Sequence, residues 1–421
     1  VTAPALARDA AERAARESYG KLLAYLARRT GGIQDAEDAL ADAFATALER
    51  WPVDGVPRAP EAWLLVAARH RFLDRVRSDG RAAKRDERLA AAAREAQRSF
   101  DDSPELGDER LGLMFACAHP AIEASVRAPL MLQVVLGLDA ACIASAFLIA
   151  PAAMSQRLVR AKQKIAATRI PMRVPAAEDL VERLDAVLAA IYAAYVDGWD
   201  DPAGHDVRTR GLTVEAIWLG RLLAEIAPDE PEVGGLLALM LYTNARATAR
   251  RDRDGTFVAL ERQDVSLWDG AAIDEAEALL ARAFSAHRAG RFQLEAAIQL
   301  AHSVRHFARE PDWAAIVALY DELLRRTASP VVALNRAVAL GRRSGDAIGL
   351  EALQAIASDP RFESYQPYWA ARADLFARAA DDEEARAACM RALGLTVDPG
   401  VRLYLAATYL SQPRNSGSTS R

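Results

Sequence analysis

At 421 residues the chain is long enough for two to four domains of ordinary size. Hydrophobic residues make up 52% of it, mostly Ala and Leu, with aromatics at 7% and few β-branched runs; this favours an all-α fold over one built from sheets. A formal charge of −5 excludes a uniformly basic chain, so any contact with nucleic acid must come from local clusters of cations.

No apolar stretch is long enough to span a bilayer, and the first residues lack the order of a secretory signal. A cytoplasmic protein with no membrane partner is expected. Cys117, Cys142 and Cys389 lie far apart among apolar neighbours, without C-x-x-C spacing or partner histidines, and read as reduced, buried thiols.

In chain order, two helices are expected first, around Leu22–Arg29 and over Asp35–Trp51, separated by Thr30-Gly31-Gly32. Asp35, Glu37 and Asp38 place negative charge at the start of the second, where the helix dipole favours it. After a loop with Pro52, Pro57 and Pro60, a third helix is expected over Glu61–Ser78. Trp63, Val66, Ala67, Phe72 and Val76 are free to pack on it, and Arg69, Arg71, Arg75 and Arg77 supply cations. An acidic helix beside a basic one suggests two different partners. The stretch after it, rich in Ala, Arg and Glu, reads as a flexible linker or a frayed helix.

The most informative stretch is Pro151–Lys164. Met154, Leu158, Ala161 and Ile165 recur at helical spacing, while Gln156, Arg160, Gln163 and Lys164 fall on the far side. A short helix over Leu138–Leu148 precedes it, and Ile149-Ala150-Pro151 makes the break, with Pro151 suited to a first turn. The pair reads as a helix-turn-helix whose second helix enters a major groove. From Arg157 to Arg173 there is no acidic residue. A basic run alone reads as readily as a solvated face; joined to the preceding helix and turn, it points to DNA.

With these residues assembled, the order LLAYLARR, DAEDALADAFATALERW, AWLLVAARHRFLDRVRS closely resembles region two of the extracytoplasmic-function (ECF) sigma factors. The segment Glu105–Arg169 resembles their region four. DERLGLMFACAHPAI and FLIAPAAMSQRLVRAKQKI, followed by IPMRVP, resemble a subgroup with a long tetratricopeptide-like extension. The resemblance implies region two over 10–80, a linker over 81–104, region four over 105–175, a helical-repeat domain over 176–410 and a disordered tail over 411–421.

It further implies that Asp35, Glu37, Asp38 and Asp42, with Leu40 and Phe44, dock on core RNA polymerase. Arg69, Arg71, Arg75 and Arg77 would hold the backbone of the downstream promoter element while loop residues cradle an extruded base. Ala153, Gln156, Arg160, Gln163 and Lys164 would face the upstream element, with Arg157 and Lys162 on phosphates. The chain departs from the family at His70, where Asn is frequent, and at Ala150, where a capping Ser or Thr is frequent; a lost cap costs on the order of 1 kcal/mol, partly offset by Pro151.

In the second half the basic bias ends and helix follows helix. Asp312, Asp346 and Asp381 open similar segments 34 and 35 residues apart, the tetratricopeptide period, and Ser329-Pro330, Asp359-Pro360 and Asp398-Pro399 mark turns within the units. Val214–Tyr242 has the same helix, proline turn, helix form. Stacked pairs leave a surface for a protein or peptide ligand, or for contact with the chain's own first regions. The alternative is a compact helical domain that only stabilises the chain.

His302 and His306, four apart, offer at most two metal ligands, and Asp197, Asp200, Asp201, His205 and Asp206 read better as a connecting loop than as a cation site. No phosphate loop, dinucleotide fingerprint or nucleophile motif is present, so neither a cofactor nor catalysis is expected. The function expected is therefore a promoter-selecting polymerase subunit. A stand-alone helix-turn-helix regulator with a sensor domain is the alternative, and a repeat scaffold with vestigial DNA elements is a third reading. The acidic Asp35–Trp51 helix favours the first, since a repressor has no need of it.

Overall fold

The structure is a computed structural model, and it describes residues 3–82, 108–147, 149–200, 211–307 and 310–410. These are helical; the sole β feature among them is an isolated bridge between Arg251 and Phe257. No described helix is long and apolar enough to cross a membrane. The chain divides into two compact units, 1–219 and 220–421.

The first unit opens with α1 (Ala3–Thr30), α2 (Ile33–Asp54) and α3 (Pro60–Ala82), which pack on one another. Only the apolar end of α1 stands out in the sequence. The helix starts 19 residues earlier because Ala, Glu and Arg are strong helix formers, and Ala7, Ala11 and Ala14 continue the buried stripe of Leu22, Leu23 and Leu26. Gly31, at φ 76°, ends it. Along α2, Ile33, Ala36, Leu40, Ala43, Ala47 and Trp51 are buried at spacings of three and four. The stripe on α3 is Leu64, Ala68, Phe72 and Leu73 rather than the expected Trp63, Val66 and Ala67; Val66 is exposed, and Trp63 instead meets Trp51 edge-on at 5.5 Å.

Next come α4 (Arg110–Cys117), buried at every residue, and α5 (Ala124–Leu136), closed by Gly137 in the left-handed region. The helix pair follows as α6 (Ala140–Ala146) and α7 (Pro151–Thr168). Asp139 caps α6 by accepting from the Cys142 N–H at 2.7 Å, and the Ile149 N–H donates to the Ala144 carbonyl at 2.9 Å across the turn. Met154, Leu158, Ala161 and Ile165 are buried, as their spacing predicts.

The helices before and after residues 83–107 pack against each other within the first unit. Helix α1 crosses α5 at Gly20, where a Cβ would lie 1.7 Å from the Val135 carbonyl oxygen, so only glycine allows the approach. Arg28 of α1 donates to Glu109, just before α4, at 2.6 Å. Helix α8 (Ala177–Asp200) packs on α4 and α5. The packing therefore does not break near 175, where the repeat domain was expected to begin; residues to 219 belong to the first unit. The expected linker over 81–104 falls almost wholly outside the described residues, as does the tail over 411–421.

Helix α9 (Leu212–Ile226) carries the chain into the second unit. There α10 (Pro231–Asn244), α11 (Gly270–Ser285) and α12 (Arg291–Ser303) pack together. They are followed by α13 (Trp313–Thr327), α14 (Pro330–Ser344), α15 (Asp346–Ile356), α16 (Gln366–Arg378), α17 (Asp382–Leu395) and α18 (Pro399–Tyr409). From α12 onward each helix packs on the next in the chain, with cores centred successively on Leu294 and Ile298, Leu334 and Phe362, then Cys389 and Leu405. Asp312, Asp381 and Asp398 cap α13, α17 and α18 through side-chain oxygens, while Asp346 sits inside the first turn of α15 and takes Arg378 at 2.7 Å.

Candidate nucleic-acid and polymerase interface

The exposed face of α7 carries Gln156, Arg157, Arg160, Gln163 and Lys164, and Ala153 is half-buried beside them. No acidic residue lies on this helix, so its outward face is a strip of donors with positive charge. Pro151 occupies the first turn and Ala150 gives no side-chain cap, as the sequence suggests.

Lys162 is the exception. Its side chain is 10% exposed and its Nζ donates to both carboxylate oxygens of Glu37 on α2, at 2.7 and 2.8 Å. The expectation that Lys162 meets phosphate while Glu37 meets polymerase is corrected here: each is the other's partner. The pair lies among Tyr19 and Cys117. Burial, with Glu37 adding to it, pushes the Tyr19 hydroxyl well above its ordinary pKa, and burial does the same to the Cys117 thiol. Such a pair is stabilised mainly against loss of one member, because the survivor is a stranded charge. Lys162→Met is expected to cost about 3 kcal/mol in denaturant unfolding of the full chain. Adding Glu37→Leu to it should recover most of that; a double variant no more stable than the single one would refute the pairing.

The acidic and basic helices of the first bundle also meet. Arg75 on α3 donates to Asp38 at 3.0 Å and to Asp42 at 2.9 Å, and Arg71 donates to the Thr46 hydroxyl at 3.2 Å. These side chains are about half exposed, so each contact is weak and can be exchanged for a stronger partner. Asp35 is exposed in the first turn of α2 and Phe44 is half-buried. Leu40 is fully buried, which corrects its assignment to a docking surface: it belongs to the bundle core. Arg69 is half-buried; Arg77 lies within α3, with its side chain outside the described residues.

Sequence reasoning missed Lys162–Glu37, although a signal existed. Lys162 stands four residues after Leu158 and three before Ile165, on the packing edge of the helix. It also missed Arg110, which is buried, held by Asp108 at 2.7 Å and by Glu215, and lies over the Trp218 ring at 4.4 Å. An arginine between two acidic residues and an apolar run gives no hint of partners more than a hundred residues away.

The possible metal ligands do not converge. No group of three or more His, Cys, Asp or Glu that could hold an ion occurs among the described residues. His302 meets Trp313 edge-on at 5.5 Å and His306 meets Phe307 at 5.2 Å. Of the acidic loop, Asp201, His205 and Asp206 lie outside the described residues. Desolvation, helped by Arg246 and Arg305, pulls the His302 pKa down from 6.5 to about 4. The unfolded chain then binds the extra proton between these values, so the contribution is full above about pH 6.5 and lost as pH falls towards 4. Wild type should lose at most about 3 kcal/mol across that window through this group. His302→Phe should flatten the dependence in denaturant titrations; an unchanged slope would refute the assignment.

Comparison with known proteins bears on the same elements. Residues 15–82 match the family model described as Sigma-70 region 2, which spans most of α1 and all of α2 and α3. Residues 183–284 match a family of unknown function (DUF6596). An uncharacterized protein of Rhizobium meliloti (strain 1021), R00370, is 37% identical over 393 residues, which cover 92% of each chain. No solved structure matches. The region 2 match gives the N-terminal helices a sigma-factor-like role in transcription initiation, and with it a general implication of core RNA polymerase and promoter DNA as partners. The chain therefore belongs to the family of R. meliloti R00370 and bears a sigma-70 region 2 domain at its N-terminus.

Proposed function

We propose that the protein is an ECF-type sigma factor that binds core RNA polymerase, recognises promoter DNA and initiates transcription, with its C-terminal helical repeats as a regulatory module. The observation that carries this reading is the Sigma-70 region 2 match over residues 15–82, joined in the same chain to the exposed cationic face of α7. In this reading α3 and the loop before it meet the downstream element, α7 enters the upstream groove, and Asp35, Asp38, Asp42 and Phe44 face the polymerase. The Glu37–Lys162 and Arg28–Glu109 pairs and the α1–α5 crossing at Gly20 hold the two promoter-reading parts against each other in the free chain. Binding to the enzyme opens these contacts together, so that the two parts can reach separated promoter elements.

The successive helix pairs of the second unit, with segment starts 34 and 35 residues apart, support a tetratricopeptide-like extension. The test is transcription in vitro with core polymerase, comparing the full chain with a version ending at Ile226, which keeps α8 and the Glu215 and Trp218 partners of Arg110. Promoter-directed transcripts from either form are expected, and the difference in yield gives the sign of the module's regulation. Transcripts from neither form would overturn the reading.

A further inference from the structure

Within the second unit, the stretch between α10 and α11 is not an ordinary connection. Residues 247–267 run as three short 3₁₀ turns and tie back onto the later helices. Arg251 pairs with Asp398 at 2.9 Å, the Phe257 N–H donates to the Gly400 carbonyl at 3.2 Å, and the Phe257 ring meets Tyr404 edge-on at 5.4 Å. Further along, Arg305 donates to the carbonyls of Leu260 and Glu261, the latter at 2.8 Å.

Behind this stretch lies a half-open cavity of about 650 Å³, a volume suited to a small organic ligand. Arg305, Arg342, Arg378 and Asp374 line it, with Trp313 and Tyr404 as flat apolar walls.

Arg342 is the unusual group. Its side chain is 16% exposed. One terminal nitrogen, Nη2, reaches both Glu261 at 2.7 Å and Asp374 at 3.4 Å, while Nε is buried with no hydrogen-bond partner. A guanidinium fork ordinarily takes an oxyanion through two parallel N–H groups, and an orphaned buried N–H of a charged group is costly. The carboxylate nearest to Arg342 belongs to Glu261, a half-exposed residue on a single short 3₁₀ turn, not on a packed α-helix. Arg378 spends its Nε on Asp346, which does not line the cavity.

We propose that this cavity binds a small organic anion, whose carboxylate or phosphate group takes the Nε–Nη2 edge of Arg342 and displaces Glu261. The body of the ligand rests between Trp313 and Tyr404, and Arg378 meets its remaining charge. Glu261 then acts as an internal stand-in that holds the arginine until a ligand arrives. The inference goes beyond the transcriptional role and does not rest on it: an anion site here would exist whatever the first unit does.

The test is calorimetric titration of the full-length protein with citrate, with glucose 6-phosphate and with uncharged glucose as the control. Saturable binding of at least one anion at about 1 mM or below is expected, with none for glucose. The arm that binds tells carboxylate from phosphate. Arg342→Lys, which keeps the charge but loses the fork, should weaken binding at least about tenfold. Glu261→Gln removes the competing carboxylate from a half-exposed position and should tighten binding several-fold while leaving the helical content unchanged.

Binding of neither anion would overturn the proposal. So would unchanged affinity in Arg342→Lys, or weaker binding in Glu261→Gln, since then Arg342 only clamps the turn. None of these outcomes touches transcription with core polymerase, which tests the first unit separately.

Discussion

Reversing Asp38 and Asp42 to Arg together is expected to lower affinity for core RNA polymerase by on the order of a thousandfold, because two like-charge contacts at a docked surface cost several kcal/mol. In the free protein both carboxylates rest on Arg75, yet all three side chains are between a third and a half exposed. Pairs of that kind contribute no more than about 1 kcal/mol and yield readily to a partner that desolvates them. Arg75→Ala should therefore leave core affinity unchanged or raise it slightly, while Asp38→Asn with Asp42→Asn should fall between wild type and the reversal. Fluorescence anisotropy of labelled protein against core enzyme separates these cases. Full affinity in the double reversal would move the docking surface elsewhere.

The second large effect is expected on promoter DNA. Arg157→Ala with Arg160→Ala should weaken binding of the polymerase-bound protein by about a hundredfold. It should also reduce the slope of log affinity against log salt by roughly 2, since each arginine that neutralises a phosphate releases about one counterion. Both side chains are exposed on the acid-free face of α7, so the change should leave folding intact. Filter binding from low to moderate salt checks both numbers. Gln156→Ala or Gln163→Ala should instead relax sequence preference with little change in salt slope, because an amide reads base edges rather than phosphate. An unchanged slope in the arginine variant would place α7 away from DNA.

How much of this was legible in the chain follows from the range of each interaction. The α7 stripe of Met154, Leu158, Ala161 and Ile165 is local periodicity, and it is buried as its spacing demands. The capping roles of Asp312 and Asp381 are equally local, since a carboxylate needs only the next three residues to act. Phase on α3 was harder. That helix mixes Trp, Val, Leu and Ala on several faces, and a one-residue shift puts Leu64 and Ala68 in the core in place of Trp63 and Ala67.

What sequence could not show is pairing at a distance. Lys162 and Glu37 stand 125 residues apart, and each alone reads as an exposed charge. The same limit hid the crossing of α1 and α5 at Gly20, which depends on a carbonyl from a helix more than a hundred residues later. Leu40, expected on a docking surface, lies in the bundle core, because the packing stripe of α2 runs through it.

Titration of the purified full-length protein against core RNA polymerase shows whether the chain works as a polymerase subunit. A saturable one-to-one complex that forms without DNA, and is weakened by the Asp38 and Asp42 reversal, is expected. Absence of any complex with core enzyme, in a sample whose helical content shows it folded, would contradict that role.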